Sequence, residues 1–592
     1  MEIASFENFF IWETNRKDKE NIYSYYFFKP EGVLKLYSLS YIDEYFKELE
    51  KVSEKYYLAG FFSYELGYYL EDKFLTEKNN YIFPLSIFFI YKKPLIYKFP
   101  QFFYLGDEMS NYIIENLKLN TSKEEYFKNI KLIKNYIKEG DIYQINYTMK
   151  YKFKFNGSVI KFYNDLKVKQ KVCYNAFLNF DNYNILSISP ELFFYKKGNY
   201  IITKPMKGTI NRGLNYFDDL EKMNFLRNDI KNRSENLMIV DLIRNDLGKI
   251  CELGSVKVKK LFEVEKYDTL FQMTSTIEGK LIKDIKIIDI VRSLFPSGSV
   301  TGAPKIRAME IINKVEKEPR HIYTGAIGFF TPDGEAKFNV AIRTILINNN
   351  YGEMGIGGGI VYDSDAQSEY EEAKLKANFL IKEIFPDFKI IETILFYNKY
   401  EHLNLHLKRM KFSALYFDFK FPKSSIIKKL KFIKTHLKNN TKYKIRILLS
   451  KDGNFEIIYE PVILPKTYKL KISEIKINHF DNFLYHKTTN RVKYENELKK
   501  AKEEGFFDVI FVNENNEITE GAISNIYIEK KGIIYTPPVE CGLLNGVIRQ
   551  VLLKKYKNKM KERKLYINDL KEADAVYISN SIIGFRKAEV II

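Results

Sequence analysis

SENLMIVDLIRNDLGKI, residues 234–250, decides how the first half of this chain is read. Leu237, Met238, Ile239, Leu242 and Ile243 recur at helical spacing, which predicts a buried helix capped by Ser234 with Glu235 in its first turn. Taken alone, Glu235 is a carboxylate that the helix dipole favours. A second helix gives it company. In SEYEEAKLKA (368–377), Glu369, Glu372 and Lys376 stand at i, i+3 and i+7 and share one face. Two such carboxylates beside a third from another helix form a hard-oxygen site suited to Mg²⁺, which keeps waters in its remaining positions.

Working outward, glycine-rich stretches supply what an anionic substrate needs. GIGGGIV carries Gly355, Gly357, Gly358 and Gly359 just before the acidic helix, and FPSGSVTGAPKIRAMEII (295–312) joins a Gly/Ser turn to a helix start. Backbone N–H groups exposed there can hold carboxylates. Arg343 in NVAIRTI and Tyr323 in HIYTGAIGFF add a cation and a polar ring to the same set.

The 592 residues predict about two large domains at roughly 150 residues per domain-equivalent, with hydrophobic and charged fractions near the globular norm. The net charge of +19 alone suggests nucleic acid or an anionic membrane surface. Its make-up argues otherwise: 79 of the 94 basic residues are Lys and only 15 are Arg, a bias that accompanies the Ile-, Asn-, Tyr- and Phe-rich composition of an AT-rich genome. The Arg residues fall largely inside the motifs discussed here instead of forming Arg/aromatic clusters, so neither nucleic acid nor membrane is expected as a partner. Cys173, Cys251 and Cys541 lie too far apart for a disulfide framework or a metal knuckle. MEIASFENFFIWETNRK lacks the basic start of a signal peptide, and no apolar run reaches the roughly 18 residues of a membrane span. A cytoplasmic protein is expected.

No repeat and no Gly/Ser linker marks a boundary. Strand-like runs such as NYNILSIS and YIFPLSIFFIY alternate with amphipathic helices such as KEEYFKNIKLIKNYIKEG, an α+β pattern in both halves. A helix expected over 366–384 must stop before Pro386, and a strand starts at IIETILFYN. The domains are therefore expected at 1–386 and 390–592.

Six segments in the first half, GDIYQINYT (140–148), SISPELFF (187–194), KPMKGT (204–209), SENLMIVDLIRNDLG (234–248), PSGSVTGAPKIRAMEII (296–312) and EYEEAKLKA (369–377), carry a resemblance to the chorismate-utilising enzymes. That group includes component I of anthranilate and aminodeoxychorismate synthases, isochorismate synthase and salicylate synthase. The resemblance implies a fold of packed β-sheets wrapped by helices, with Mg²⁺ bridging the carboxylate of chorismate to Glu235 and Glu372 while Glu369 assists. It also implies substrate contacts from Thr209, Tyr323, Arg343, Gly355, Gly357 and Lys376. Where isochorismate and salicylate synthases resemble one another in a water-activating Lys, this chain has Gln144, whose amide cannot serve as a base. Where anthranilate synthases read AGT, it reads KGT. Lys207 is thereby similar to the covalent nucleophile of aminodeoxychorismate synthases, and Glu191 to the family's general acid. Two positions depart from the pattern: Gln272 stands where many relatives have His, and Asn232 where salicylate synthases carry a carboxylate.

In the second half, His402 and His406 form an i, i+4 pair, but Leu403 replaces the Glu of a HExxH motif and no third ligand is evident, so zinc is not expected. NLHLKRMKFSALYF, LYHKTTNR, NEITEGAISNIYI, TPPVECGLLNGVIRQ and YISNS instead resemble, in order, the class IV pyridoxal-phosphate enzymes, which include aminodeoxychorismate lyase and branched-chain aminotransferases. The resemblance implies that Lys487 attaches the cofactor and that Glu520 contacts the pyridine nitrogen. It also implies that Arg409 and the backbone at Val547 and Ile548 clamp the phosphate. Arg549 is read either as part of that clamp or as a helix-face charge.

Together the resemblances imply 4-aminobenzoate formation: amination of chorismate to 4-amino-4-deoxychorismate, then elimination of pyruvate. The alternative is an anthranilate synthase component fused to a class IV aminotransferase. None of the three Cys sits in the GxCxG setting of a glutamine amidotransferase, so a separate amidotransferase subunit is expected to supply ammonia.

Overall fold

The computed structural model describes residues 7–16, 18–71, 82–106, 110–381 and 387–591. The chain divides into two units, one of Met1–Asn211 with Asn224–Ile384 and the other of Arg212–Met223 with Phe385–Ile592.

The first unit is built on two antiparallel ten-stranded sheets, counted among the described residues. Continuous apolar strands such as FFIWE, Phe9–Glu13, and YLAGFF, Tyr57–Phe62, arise because both faces of each sheet are covered. Phe10 and Trp12 of the first sheet meet Ala59 and Phe61 of the second in a common core. The alternate residues Phe9 and Ile11 face a helix-covered core on the far side of their sheet, and Leu58 and Phe62 do the same on theirs. The result is a helix–sheet–sheet–helix stack. NYNILSIS forms the strand Tyr183–Ser189, and KEEYFKNIKLIKNYIK forms the helix Lys123–Lys138, capped by Ser122.

Two local expectations change. The helix carrying Glu235 runs Ile230–Gly248 and is capped by Asp229, whose side chain accepts from the Asn232 N–H. Ser234 therefore lies inside the helix, not at its cap, because Asp229 offers an equally good oxygen a turn earlier. The helix expected over 366–384 appears as Ala366–Leu375 and Asn378–Ile381. Pro386 lies outside the described residues.

The second unit has a four-stranded sheet covered by helices Leu403–Phe417 and Lys423–Lys434, and a mixed eight-stranded sheet. In the latter, Lys469–Ile477 runs parallel to Asp508–Asn513 and to Gly584–Ile591. Residues 212–223 are integral to this unit. The Arg212 guanidinium pairs with Asp219, donates to the Tyr416 carbonyl at 2.9 Å and lies over the Tyr416 ring. In return the Tyr416 hydroxyl donates to the Gly213 carbonyl at 2.6 Å, and Tyr216 stacks on Phe412. Among the described residues no helix is long and apolar enough to cross a membrane.

Candidate functional site

In the first unit, the strand Met206–Asn211 presents Lys207, the strand Tyr351–Ile360 passes beneath it, and helices Ile230–Gly248 and Ala366–Leu375 bring carboxylates. The glycines of the crossing strand are what allow the approach. A Cβ on Gly359 would lie 2.1 Å from Lys207 Nζ and 2.7 Å from Gln144 Nε2, and one on Gly355 would lie 2.1 Å from the Tyr323 ring. Both positions must stay bare for the side chains to pack on the strand.

The Lys207 ammonium is held below its ordinary value, chiefly by loss of water. Lys376 works in the same direction, while Glu235, Glu372 and Glu369 oppose it. All three predicted carboxylates thus act on one amine. Lys376 pairs with Glu372 at 2.9 Å and donates to the Gly357 carbonyl at 2.9 Å. That partnership lowers the Glu372 carboxyl, outweighing burial, which raises it. Glu369 accepts from Ser364 Oγ at 2.7 Å and is raised by burial.

Glu191 is buried at 3% exposure, and burial pushes its carboxyl up to about 7 against the pull of Ser299, the Met206 N–H and Lys207. Ser299 Oγ donates to Glu191 Oε1 at 2.6 Å. Because that proton is spent, Ser297 Oγ, 2.9 Å from Ser299 Oγ, must donate to it in turn. The PSGSVTG turn therefore serves this carboxyl through its hydroxyls, a role that a reading based on backbone N–H groups did not contain.

At this site, Arg343 and Gln144 have buried polar atoms without partners among the described residues. Arg343 sits in the left-handed region at φ 51, and its Nη1 finds no acceptor among the described residues. Burial brings its guanidinium down to about 10 despite Tyr267. Gln144, at 0% exposure, has neither amide atom engaged. Each is the condition of a group made to meet a polar ligand. Thr209 is exposed, its hydroxyl donating to Gln272 Oε1 at 2.9 Å.

Among the described residues no three His, Cys, Asp or Glu side chains converge as a ready-made metal cage. Mg²⁺ does not require one. It takes one or two carboxylates plus waters and substrate oxygens, a donor set that Glu235, Glu369 and Glu372 can supply.

In the second unit, Lys487 follows a short helical turn, Asn482–Tyr485. Burial brings its amine down to about 7, assisted by Arg491 and Arg409 and opposed by Glu392 and Glu520. Glu520, buried at 8% exposure, is pushed up to about 8 by burial, and Asn525 Nδ2 donates to it at 3.4 Å. Burial holds this carboxyl in its neutral form, and a cationic ring nitrogen placed beside it would favour its ionisation. Arg409 donates from Nε and Nη2 to Glu392 at 2.8 and 2.9 Å, and from Nη1 to the Asn545 carbonyl at 3.5 Å. The helix Val547–Lys555 begins just beyond, with no side-chain cap, so its first turn at Val547 and Ile548 is an anion-binding end. A neutral-leaning lysine, a buried carboxyl and a guanidinium beside a bare helix start fit pyridoxal phosphate.

Sequence reasoning did not find Glu392. It is buried at 1% exposure and also accepts from His406 Nδ1 at 2.6 Å, while His406 Nε2 lies 3.3 Å from Ser581 Oγ. An acid in the apolar strand IIETILFY was the available signal. Arg549 is structural: its guanidinium is buried against Pro537 O, Asn545 Oδ1 and Glu562.

Residues 7–382 match the family model described as chorismate binding enzyme, and residues 389–591 match that of Amino-transferase class IV. The chain is 42% identical over 259 residues to aminodeoxychorismate synthase of Arabidopsis thaliana, a chloroplastic protein, covering 43% of this chain and 28% of that one. It is 37% identical over 265 residues to aminodeoxychorismate synthase component 1 of Escherichia coli, 45% of this chain and 58% of that one. It is 40% identical over 258 residues to anthranilate synthase component 1 of Saccharolobus solfataricus, 43% and 61%. The chain therefore spans less than two thirds of the length of each of these relatives. Anthranilate synthase component I from Streptococcus pneumoniae shares the fold, with a TM-score of 0.53 at 24% identity over 62% of this chain and 94% of that one.

Proposed function

This chain belongs to the chorismate binding enzyme family, and we propose that it makes 4-aminobenzoate, aminating chorismate within 1–386 and eliminating pyruvate within 390–592. The observation that carries the reading is Lys207: an amine packed over the bare Gly359, kept below its ordinary value by burial, acted on by Glu235, Glu372 and Glu369, and near a carboxyl raised to about 7. Lys207 Nζ, neutral, attacks ring C2. Both ring double bonds shift and the C4 hydroxyl departs as water with the proton of Glu191. Ammonia adds at C4, both double bonds return as the C2–N bond breaks to free Lys207, and the new ammonium returns a proton to Glu191. Arg343 Nη1 and the Tyr323 hydroxyl orient the substrate, with Lys376, Thr209 and the backbone at Gly355 and Gly357 completing its contacts. Mg²⁺ held by Glu235 and Glu372, with Glu369 assisting, would neutralise the ring carboxylate.

In the second half Arg409 and the N–H groups of Val547 and Ile548 would hold the phosphate of pyridoxal phosphate, Glu520 would face its ring nitrogen, and Lys487 would be its attachment point and the base for the C4 proton of aminodeoxychorismate. Pyridoxal phosphate supplies the electron sink for that proton loss. Aromatisation then drives the C3–O bond to break, releasing pyruvate. Ammonia is supplied by a separate glutamine amidotransferase subunit, and the protein acts in the cytoplasm.

The test is product identification by mass spectrometry from chorismate, ammonium, Mg²⁺ and pyridoxal phosphate. 4-Aminobenzoate with pyruvate is expected. 2-Aminobenzoate in its place would establish the anthranilate alternative, to which the Saccharolobus relative gives weight.

A further inference from the structure

Gln272 commits both ends of its amide to the turn that presents Lys207. It stands opposite Thr209 in the antiparallel pairing of strands Met206–Asn211 and Leu270–Lys280. Its Nε2 donates to the Gly208 carbonyl at 2.9 Å, and its Oε1 accepts from Thr209 Oγ1 at 2.9 Å. Chemistry fixes the amide's orientation, since the carbonyl has no proton to give and only the NH₂ end can face it.

The rest of the turn is held from the other side. Gly208 has φ +93, and a Cβ there would lie 2.9 Å from Asn232 Oδ1, so no larger residue fits. Asn232 is itself tied to Asp229 Oδ2 at 2.7 Å. Asn236 Nδ2 reaches the Lys207 carbonyl at 3.4 Å, and Ser275 Oγ holds Asn236 at 2.6 Å. With Gly359 beneath Lys207 Nζ, the lysine is constrained at both ends.

We propose that Gln272 is a positioning residue for Lys207 in the amination step, fixing the Lys207–Thr209 turn so that Nζ meets ring C2. This rests on the reading of Lys207 as the nucleophile. The departure at 272 then has an explanation: an uncharged amide clamps the lysine-bearing segment, while Asn232 packs against its Gly208. A histidine at 272 would titrate near neutrality, whereas the amide clamp does not change with pH.

The experiment measures kcat and KM for chorismate with ammonium and Mg²⁺ in the full chain, together with Tm, for Gln272→Leu, Gln272→Glu and Lys207→Ala. Gln272→Leu should lower kcat about 10²-fold, the scale of a misplaced reacting group, while KM for chorismate stays unchanged. Gln272→Glu keeps the acceptor for Thr209 but loses the donor to Gly208, and should fall as far. If Gln272→Leu fails to fold, Gln272→Glu decides. Wild-type kcat in the folded Gln272 variants, or a loss confined to KM, would overturn the proposal. Should Lys207→Ala retain full rate, the parent reading fails. An inactive Lys207→Ala beside wild-type Gln272 variants sinks the positioning role alone.

Discussion

Replacing Ser299 by Ala should move the alkaline limb of the amination rate to higher pH. If Glu191 works as the acid proposed above, activity is lost as pH rises through its pKa, which burial has already lifted to about 7. The Ser299 hydroxyl, 2.6 Å from Glu191 Oε1, favours the charged form and so lowers that value. A hydrogen bond to a charged group is worth about 1.5–3 kcal/mol, and each pKa unit corresponds to about 1.4 kcal/mol. Ser299→Ala should thus raise the apparent pKa by about one unit or more. At pH 8 the protonated fraction would then rise from about a tenth to about a half. The assay is kcat/KM for chorismate across pH at constant free ammonia, because that ratio reports the free enzyme. Ser297→Ala, which removes only the support behind Ser299, should shift the limb less. Lys207 is no competing source of this limb: a nucleophilic amine loses activity as pH falls. An alkaline limb that stays put or moves down in Ser299→Ala would refute the assignment of Glu191 as the acid.

Lys207→Ala should abolish aminodeoxychorismate formation while chorismate still binds, and slow attack at C2 would yield anthranilate-type product; wild-type 4-aminobenzoate from this variant would exclude the covalent route. Glu235→Gln and Glu372→Gln should each raise the Mg²⁺ needed for chorismate conversion by an order of magnitude or more, on the scale of one lost charged ligand, and leave pyruvate release from supplied aminodeoxychorismate unchanged. Full rates at low Mg²⁺ in both would count against the metal assignment. Borohydride reduction of the pyridoxal phosphate-loaded protein should leave a pyridoxyl group on Lys487, read by peptide mass spectrometry, with attachment half-maximal near pH 7, where its amine loses its proton. Label on another lysine would overturn that role.

What the sequence disclosed followed from interactions with a local or periodic signature. NYNILSIS announces a strand, found at Tyr183–Ser189, whereas the glycines of GIGGGIV, read as exposed N–H donors, lie in the paired strand Tyr351–Ile360, where their bareness lets Lys207 and Tyr323 approach. Partnerships across long separations left no such trace. Ser299 and Glu191 are 108 positions apart, and nothing in PSGSVTG distinguishes a serine that solvates a carboxylate from one that makes a turn. The cap of the Glu235 helix is illegible for a different reason: DIKNRSEN offers both Asp229 and Ser234, and local pattern does not rank two good caps one turn apart. RGLNYFDD reads as an unremarkable connection, because a buried Arg–Asp pair closes over seven positions only when a distant tyrosine carbonyl completes it.

That last segment bears on how the gene can be divided. Twelve residues encoded in the middle of the first reading belong, by their packing, to the body formed by the last two hundred. A scission at the domain junction would put Arg212, Gly213 and Tyr216 on one polypeptide and Tyr416 and Phe412, which they satisfy, on the other. A fragment 390–592 expressed alone would lose the Gly213 carbonyl that accepts from the Tyr416 hydroxyl, the Arg212 donor to the Tyr416 carbonyl and the ring that stacks on Phe412, keeping only Asn482 on that hydroxyl. In heredity as in the laboratory, the two halves would travel together: a cut that respects the order of the codons does not respect the solid they build.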